Sequence, residues 1–341
     1  MADFDNIPDF DSLPEVKGMP KGCAWGVFDK DGTTDYLGCF NLLTPAVKKE
    51  ACKEARDGVS ISLNWPLNAI GKPGYGRRPT EHTVLDAKLT LDIHSFDDEV
   101  AFNTQASSQW DSLVHYGHQH TGLCYNGSRP TTENLIQGFR HCDKSLPTLN
   151  HWHEKGCLVG RGVLLDYRAY AQAKGIQYSC FDNVPISVQD LEAVAAHQGT
   201  KFKYGDILLV RTGFTEDLDA ADIDEQTKLL GTHKTVGVKG SLETARWLWN
   251  HHFSAVAGDA IAFESLPPQI EEEGGKPGGY DQLVLHKYLL AFFGMPIGEL
   301  WDLKALGEYC AKAKRYEFLL TSAPLNYPGS VGSPPNAIAV F

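Results

Sequence analysis

From Asn103 to His118 the chain reads Asn-Thr-Gln-Ala-Ser-Ser-Gln-Trp-Asp-Ser-Leu-Val-His-Tyr-Gly-His. The stretch is dense in groups that bind a metal ion or move a proton, and poor in the aliphatic residues that fill cores. Gln105, Gln109 and Asp111 stand at i, i+4 and i+6. In extended backbone, odd-numbered positions fall on one side. Three oxygen-bearing side chains can therefore converge, with His115 four residues beyond Asp111. A polar surface loop around a hydrogen-bonded Asp accounts for the same residues, and on the residues alone both readings stand.

A second group lies in the C-terminal third. His286 falls on the apolar face of a helix expected over 285–293, beside Leu289, Leu290 and Phe293, and Glu299 follows thirteen residues later. Glu264 closes the run Asp259-Ala260-Ile261-Ala262-Phe263. Each has a structural alternative: a core histidine, a helix-end acid in a salt bridge, a loop carboxylate.

The elements that must position these groups are legible from pattern. Val100-Ala101-Phe102-Asn103 reads as a short strand delivering the first stretch, and Val59 to Trp65 and Thr83 to Ile93 alternate as half-buried strands do. Gly162 to Tyr167 and Gly205 to Gly213 are continuous apolar runs, as in buried strands. Ser254 to Asp259 returns as a strand, and 318–321 and 337–341 close the chain as strands. Thr44-Pro45 caps one helix, Ser187 a second, and Ser241 a third that carries Leu242, Ala245, Leu248 and Trp249 on one face. Residues 1–22, with Pro8, Pro14 and Pro20 among acids, read as an extended arm. Residues 23–341 show no repeat, linker or composition shift, and one mixed α/β domain is the economical architecture.

Composition excludes several classes. A formal net charge of −12 argues against nucleic acid and anionic membrane surfaces. No stretch approaches the roughly 20 apolar residues of a spanning helix. Met1-Ala2-Asp3-Phe4-Asp5 lacks the basic start and apolar run of a secretory signal. The eight cysteines contain no CxxC pair, which suits reduced thiols in a cytoplasmic protein better than disulfides or structural zinc.

Together these segments resemble the metal-dependent cyclase family that includes kynurenine formamidase and isatin hydrolase. The family signature His-x-Gly-Thr-His-x-Asp-x-x-x-His falls on Gln105 to His115. Asp111 and His115 match it, and Gln105 and Gln109 stand where the family has histidines. A His before Leu-Leu and an Ile-x-Glu match His286-Lys287-Tyr288-Leu289-Leu290 and Ile297-Gly298-Glu299. Trp25-Gly26, Leu37 to Pro45, Gly205 to Gly213, Val256 to Glu264 and Pro324 to Phe341 look like the longer fungal branch, so the likeness covers about 23–341.

The resemblance implies a swivelling β/β/α single domain, a mixed barrel-like sheet with flanking helices. It implies a first divalent metal at Gln105, Gln109 and Asp111, a second at Asp111, His286 and Glu299, and His115 as the catalytic acid and base. Glu264 is a further catalytic candidate. Trp25, Phe40, Trp110, Tyr116 and His118 are candidate substrate-binding residues for an aromatic or cyclic small molecule, and a homo-oligomer is implied. Amide oxygens are weak, hard ligands where imidazole is a strong zinc ligand. The two glutamines therefore weaken or abolish the first site and move preference from zinc toward manganese, magnesium or calcium, unless His118 or His120 turns inward. The parts suit hydrolysis of an amide, formamide or lactone by metal-activated water. A secondary-metabolite cyclase, dehydratase or isomerase with weak or no metal, and a non-catalytic binding protein, are the alternatives.

Overall fold

The apolar runs form the parallel centre of a nine-stranded sheet. Leu158–Asp166, Ile207–Arg211, Ala255–Gly258 and Ile297–Glu299 lie parallel in that order. Glu317–Ser322, Ala337–Val340 and Ser60–Ser62 extend one side antiparallel, and Gln109–Asp111 and Gly332–Ser333 extend the other. The sheet curls into a half-barrel flanked by helices, the mixed α/β single-domain architecture expected. The computed structural model describes residues 7–141, 145–270 and 274–341.

Alternation along the central strands divides the core into two layers. Leu165, Leu208, Val210, Val256 and Ile297 face the helical layer, while Leu164, Ile207, Leu209, Ala255 and Ala257 face the other. Burial of both faces explains why these strands read as continuous apolar runs.

Local chemistry sets the helix starts. The Thr44 side chain accepts from Val47 N, Ser187 and Asp190 form a reciprocal capping box, and Ser241 accepts from Thr244 N, each supplying an acceptor to an otherwise orphaned first-turn amide. In the third helix Ala245, Leu248 and Trp249 are buried, but Leu242, at its first position, is exposed. The helix expected over 285–293 begins as α-helix at Val284–His286 and continues as π-helix over Lys287–Phe293, ending at Gly294 with φ +67°. A left-handed residue at that point is the usual helix stop.

Thr83 to Ile93 is not one half-buried strand. Glu81–Asp86 pairs antiparallel with Phe96–Ala101 in a ribbon that joins no other strand among the described residues, and Val100 and Ala101 belong to its end. Among the described residues no helix is long and apolar enough to cross a membrane, and the described cysteines are all free.

Residues 8–10 are anchored to the helix Leu242–Asn250 and to the π-helix that follows His286. Phe10 is buried with its ring 6.1 Å from both Tyr288 and Phe293, its N–H donates to Asn250 Oδ1, and Trp249 Nε1 donates to the Pro8 carbonyl. Truncating a buried Phe typically costs about 3–5 kcal/mol. Phe10→Ala should lower the urea midpoint by that equivalent at unchanged slope. A midpoint within error of wild type would show that the segment contributes nothing to the domain.

Candidate active site

Strand pairing brings the two chemical groups together. Gln109–Asp111 runs antiparallel to Ile297–Glu299, with Glu299 opposite Gln109 and Ile297 opposite Asp111. Alternation turns Gln109, Asp111 and Glu299 to the helical side, where His286 starts its helix. The resulting cluster is buried throughout.

His286 is held at both ring nitrogens. Nδ1 lies 2.9 Å from Glu264 Oε1 and Nε2 lies 3.3 Å from Glu299 Oε1. Glu264 also accepts from the His286 N–H at 2.7 Å and from Val284 N at 2.9 Å. Both its oxygens are engaged, Oε1 by His286 and Oε2 by the Val284 N–H, on the side of the ring away from Glu299. Gly240 makes room for it, since a Cβ there would stand 2.5 Å from Glu264 Oε2. Glu299 Oε1 accepts from Phe263 N at 3.0 Å.

The glutamines link the carboxylates. Gln105 Nε2 donates to Asp111 Oδ1 at 2.5 Å, and Gln109 Nε2 donates to Gln105 Oε1 at 2.7 Å and to Glu299 Oε2 at 2.9 Å. Two buried oxygens face no donor: Asp111 Oδ2 and Gln109 Oε1. His115 Nε2 lies 3.9 Å from Asp111 Oδ1, and its side chain is 24% exposed, so it forms the open edge of the cluster.

Electrostatics follow from burial and pairing. Burial opposes a charged His286, but Glu264 and Glu299 more than offset it and hold its pKa well above the ordinary histidine value. Burial alone would raise Glu299, and its bond to His286 reverses the sign, leaving it below the usual range. Asp111 is raised by burial against the pull of His115.

The donor set fits a divalent cation. Asp111, His286 and Glu299 each offer an atom within 4.8 Å of the others, a spacing that lets one ion reach all three at ordinary bond lengths of about 2.0–2.5 Å. Two of the buried oxygens without donors, Asp111 Oδ2 and Gln109 Oε1, belong to this cluster. His286 Nε2 is the ring atom that would face the ion, and its Nδ1 partner Glu264 completes the carboxylate–histidine–metal arrangement.

The other expected residues divide. Tyr116 is at the site, its ring 5.6 Å from that of His286. Trp110 is not: alternation turns it to the opposite layer, where it is fully buried against Trp152 and Trp301, with Nε1 bonded to Ser322 Oγ. Phe40 packs on Trp152 in that same layer. Trp25 donates Nε1 to the Ala291 carbonyl and lies on the π-helix. His118 bonds Thr121 and its ring lies tilted 5.3 Å from that of Phe292, with His120 beside it, and among the described residues neither belongs to the group that could hold an ion. In this structure Trp110, Phe40, Trp25 and His118 make packing contacts away from the Asp111/His286/Glu299 group. A cavity of about 620 Å³ beside Phe40, Tyr36 and Lys48 contains no member of the cluster.

The rim escaped the sequence reading. Arg77 Nη1 donates to the Gln105 carbonyl at 2.7 Å, and its guanidinium lies over the Tyr75 ring. Tyr280 contacts Tyr75 and His233 through its hydroxyl and accepts from Tyr116 Oη at its carbonyl. Tyr75 has φ +59°, backbone strain of a kind that gathers at functional sites. The Gly/Pro/Arg-rich composition of its loop was the visible signal.

The family described as Putative cyclase matches residues 43–265. The chain belongs to this cyclase family. A solved structure described as a novel cyclase is 30% identical with a TM-score of 0.75, over 94% of this chain and 99% of that one. Isatin hydrolase A from Labrenzia aggregata, bound to benzyl benzoate, is 13% identical with a TM-score of 0.54, over 88% of this chain and 97% of its own. Isatin hydrolase A from Ralstonia solanacearum is 14% identical with a TM-score of 0.54, over 92% and 100%. At those identities the isatin hydrolases share the cyclase fold. No curated protein matches the chain.

The glutamines give a direct test of the cluster. Imidazoles suit zinc better than amide oxygens, so Gln105→His/Gln109→His should bind zinc at least tenfold more tightly than wild type by calorimetry. Equal affinities would place these two side chains outside the ion's reach.

Proposed function

We propose that this cyclase-family chain is a metal-dependent hydrolase of a small cyclic or aryl amide, formamide or lactone, with His115 as acid and base. The observation that carries the reading is the position of His115. It is the exposed imidazole on an otherwise buried Asp/His/Glu cluster, within reach of Asp111. Asp111, His286 and Glu299 would hold the ion, with Gln109 Oε1 as a further donor. Three oxygens and one nitrogen favour manganese over zinc. When bound, the ion polarises a carbonyl and lowers the pKa of water toward ~7.

The chain's own residues do the rest. His115 removes a proton from the attacking water as its oxygen bonds to the carbonyl carbon. It returns that proton to the leaving nitrogen or oxygen as the C–N or C–O bond breaks, so one imidazole serves both half-steps. Asp111 stands beside it and stabilises the imidazolium formed between them. Glu264 fixes the His286 ring, and Tyr116 and Tyr75 offer flat apolar faces for a ring-bearing substrate. Arg77 supplies the rim with positive charge.

A second reading draws on the glutamine amides. Their N–H groups already serve one oxygen of Asp111 and one of Glu299, as they would in a cyclase, dehydratase or isomerase of secondary metabolism working without an ion. Metal analysis by mass spectrometry on protein purified without chelator or added metal separates the two, since only the hydrolase reading requires near one ion per chain.

Loss of a general acid–base group typically costs ~10²–10⁴-fold in rate. His115→Asn should keep the fold and the metal content and lose turnover by that factor on a panel of aryl formamides, aryl esters and lactones. Turnover within a fewfold of wild type on metal-matched protein would remove His115 from the mechanism.

His286→Ala tests the ion itself. It should abolish stoichiometric metal while the circular dichroism spectrum stays that of wild type. Retained metal would exclude His286 as a ligand.

A further inference from the structure

The cavity of about 620 Å³ lies between two segments of the chain, 28–48 and 151–155. Its volume falls in the range of small-molecule sites, about 300–1,000 Å³. Phe28, Leu37, Phe40 and Leu43, all buried, make an apolar floor. Tyr36 supplies a flat wall, its ring stacked on that of the buried His151 at 5.6 Å and 24°. Phe40 packs on Trp152 and Trp152 on Trp110, in the layer on the far side of the strand from the Asp111 carboxylate. An occupant of the cavity therefore does not touch the proposed ion.

Charge over this floor is unbalanced. Lys30, Lys48 and Lys155 line the cavity together with two acids, Asp35 and Glu154. Asp35 is spent on its own surroundings: Oδ2 accepts from the Leu37 and Gly38 N–H groups and from the Tyr125 hydroxyl, and Oδ1 accepts from the Asn41 amide. Glu154 has a partner of its own. On a chain with a net charge of −12, three lysines around one apolar hollow stand out.

Lys48 is the lysine the fold constrains. It is half-buried, and its ammonium reaches from one segment to the other to donate to the Lys155 carbonyl at 3.3 Å. Burial, with the Lys155 charge adding to it, holds its pKa below the ordinary lysine value. An ammonium carries three N–H donors. A partly desolvated cation beside a like charge is relieved by an anion. The apolar floor selects among anions, since a polyanion or a sugar would leave polar groups there without partners. A ring that carries one carboxylate satisfies both halves of the cavity.

We propose that this cavity is a second small-molecule site, which takes an aromatic carboxylate with its ring on the Phe28, Leu37 and Phe40 floor and its carboxylate on Lys48 and Lys155. The proposal is independent of the hydrolase reading, because its test reads binding and not turnover.

Isothermal titration calorimetry of the full chain with 2-naphthoate tests it. Wild type should bind 2-naphthoate saturably, and should bind 2-naphthamide, which has the same shape without the charge, at least tenfold more weakly. Lys48→Met keeps the aliphatic stem and removes the ammonium. It should weaken 2-naphthoate binding at least tenfold, about the loss of one hydrogen bond to a charged group, with an unchanged circular dichroism spectrum. Lys48→Arg should bind within a fewfold of wild type. Lys155→Met, at an exposed residue, should also weaken binding and serves if Lys48→Met misfolds. His286→Ala distinguishes the two sites, since a carboxylate held by the proposed ion would be lost with it, whereas one in the cavity stays. Four results would each overturn the proposal: no saturable binding by wild type, equal affinities for the acid and the amide, folded lysine variants that bind as wild type does, or loss of all binding in folded His286→Ala.

Discussion

The centre of this molecule depends on one imidazole held between two buried carboxylates. His286 cannot turn without breaking its bond to Glu264 or to Glu299, and each carboxylate is itself fixed by backbone amides, Val284 and His286 for the first and Phe263 for the second. The ring therefore ties three segments: the loop after Ala255–Gly258, the start of the π-helix, and the strand Ile297–Glu299. Removing either acid would leave a charged or donor-rich ring in a buried site, where breaking a buried pair costs about 3–5 kcal/mol. The same arrangement aims a nitrogen at the space between Asp111 and Glu299, so the interaction that fixes the fold locally also shapes the site.

Much of this was legible in the sequence, for definable reasons. The strands Leu158–Asp166 and Ile207–Arg211 were visible because burial on both faces demands an unbroken apolar run. His286 stood out as an imidazole on an apolar helix face, which calls for a partner, Asp111 as a carboxylate in a polar stretch, and Glu299 through the Ile-x-Glu pattern of the family the chain resembles. The aromatic residues misled. A Trp between two polar site residues reads as a substrate wall, but period-two alternation sends Trp110 to the far layer whenever Gln109 and Asp111 point inward. Glu264 was placed in the right locality, but a sequence does not show which side of a histidine an acid approaches. The ribbon was missed because alternation signals a half-buried strand, and nothing in alternation distinguishes a face covered by its own domain from one left open.

The rim shows a further limit. Tyr75, Arg77, Tyr280 and His233 come from three segments far apart in sequence, and each alone is an ordinary loop residue. Only the fold shows that Arg77 reaches the carbonyl of Gln105 while Tyr280 is reached from Tyr116, so that one side of the rim is tied to the glutamine pair and the other to His286.

The two glutamines place the chain's electrostatics between alternatives. Asp111, Glu264 and Glu299 put three carboxyl groups around one buried imidazole, with His115 at the edge. Amide N–H donors relieve one oxygen of Asp111 and one of Glu299 but add no charge, whereas a divalent cation would neutralise both and engage Asp111 Oδ2, the oxygen that faces no donor. An ion that binds only the folded chain adds stability by mass action, about 2.7 kcal/mol at a hundredfold excess over its dissociation constant. Histidines at 105 and 109 would supply stronger ligands but would remove the hydrogen bonds that hold Asp111 and Glu299 in register when no ion is present. The glutamine amides hold Asp111 and Glu299 by hydrogen bonds alone, and Gly332 makes room for this: a Cβ at that position would lie 2.7 Å from Gln105 Nε2 and displace the amide from Asp111.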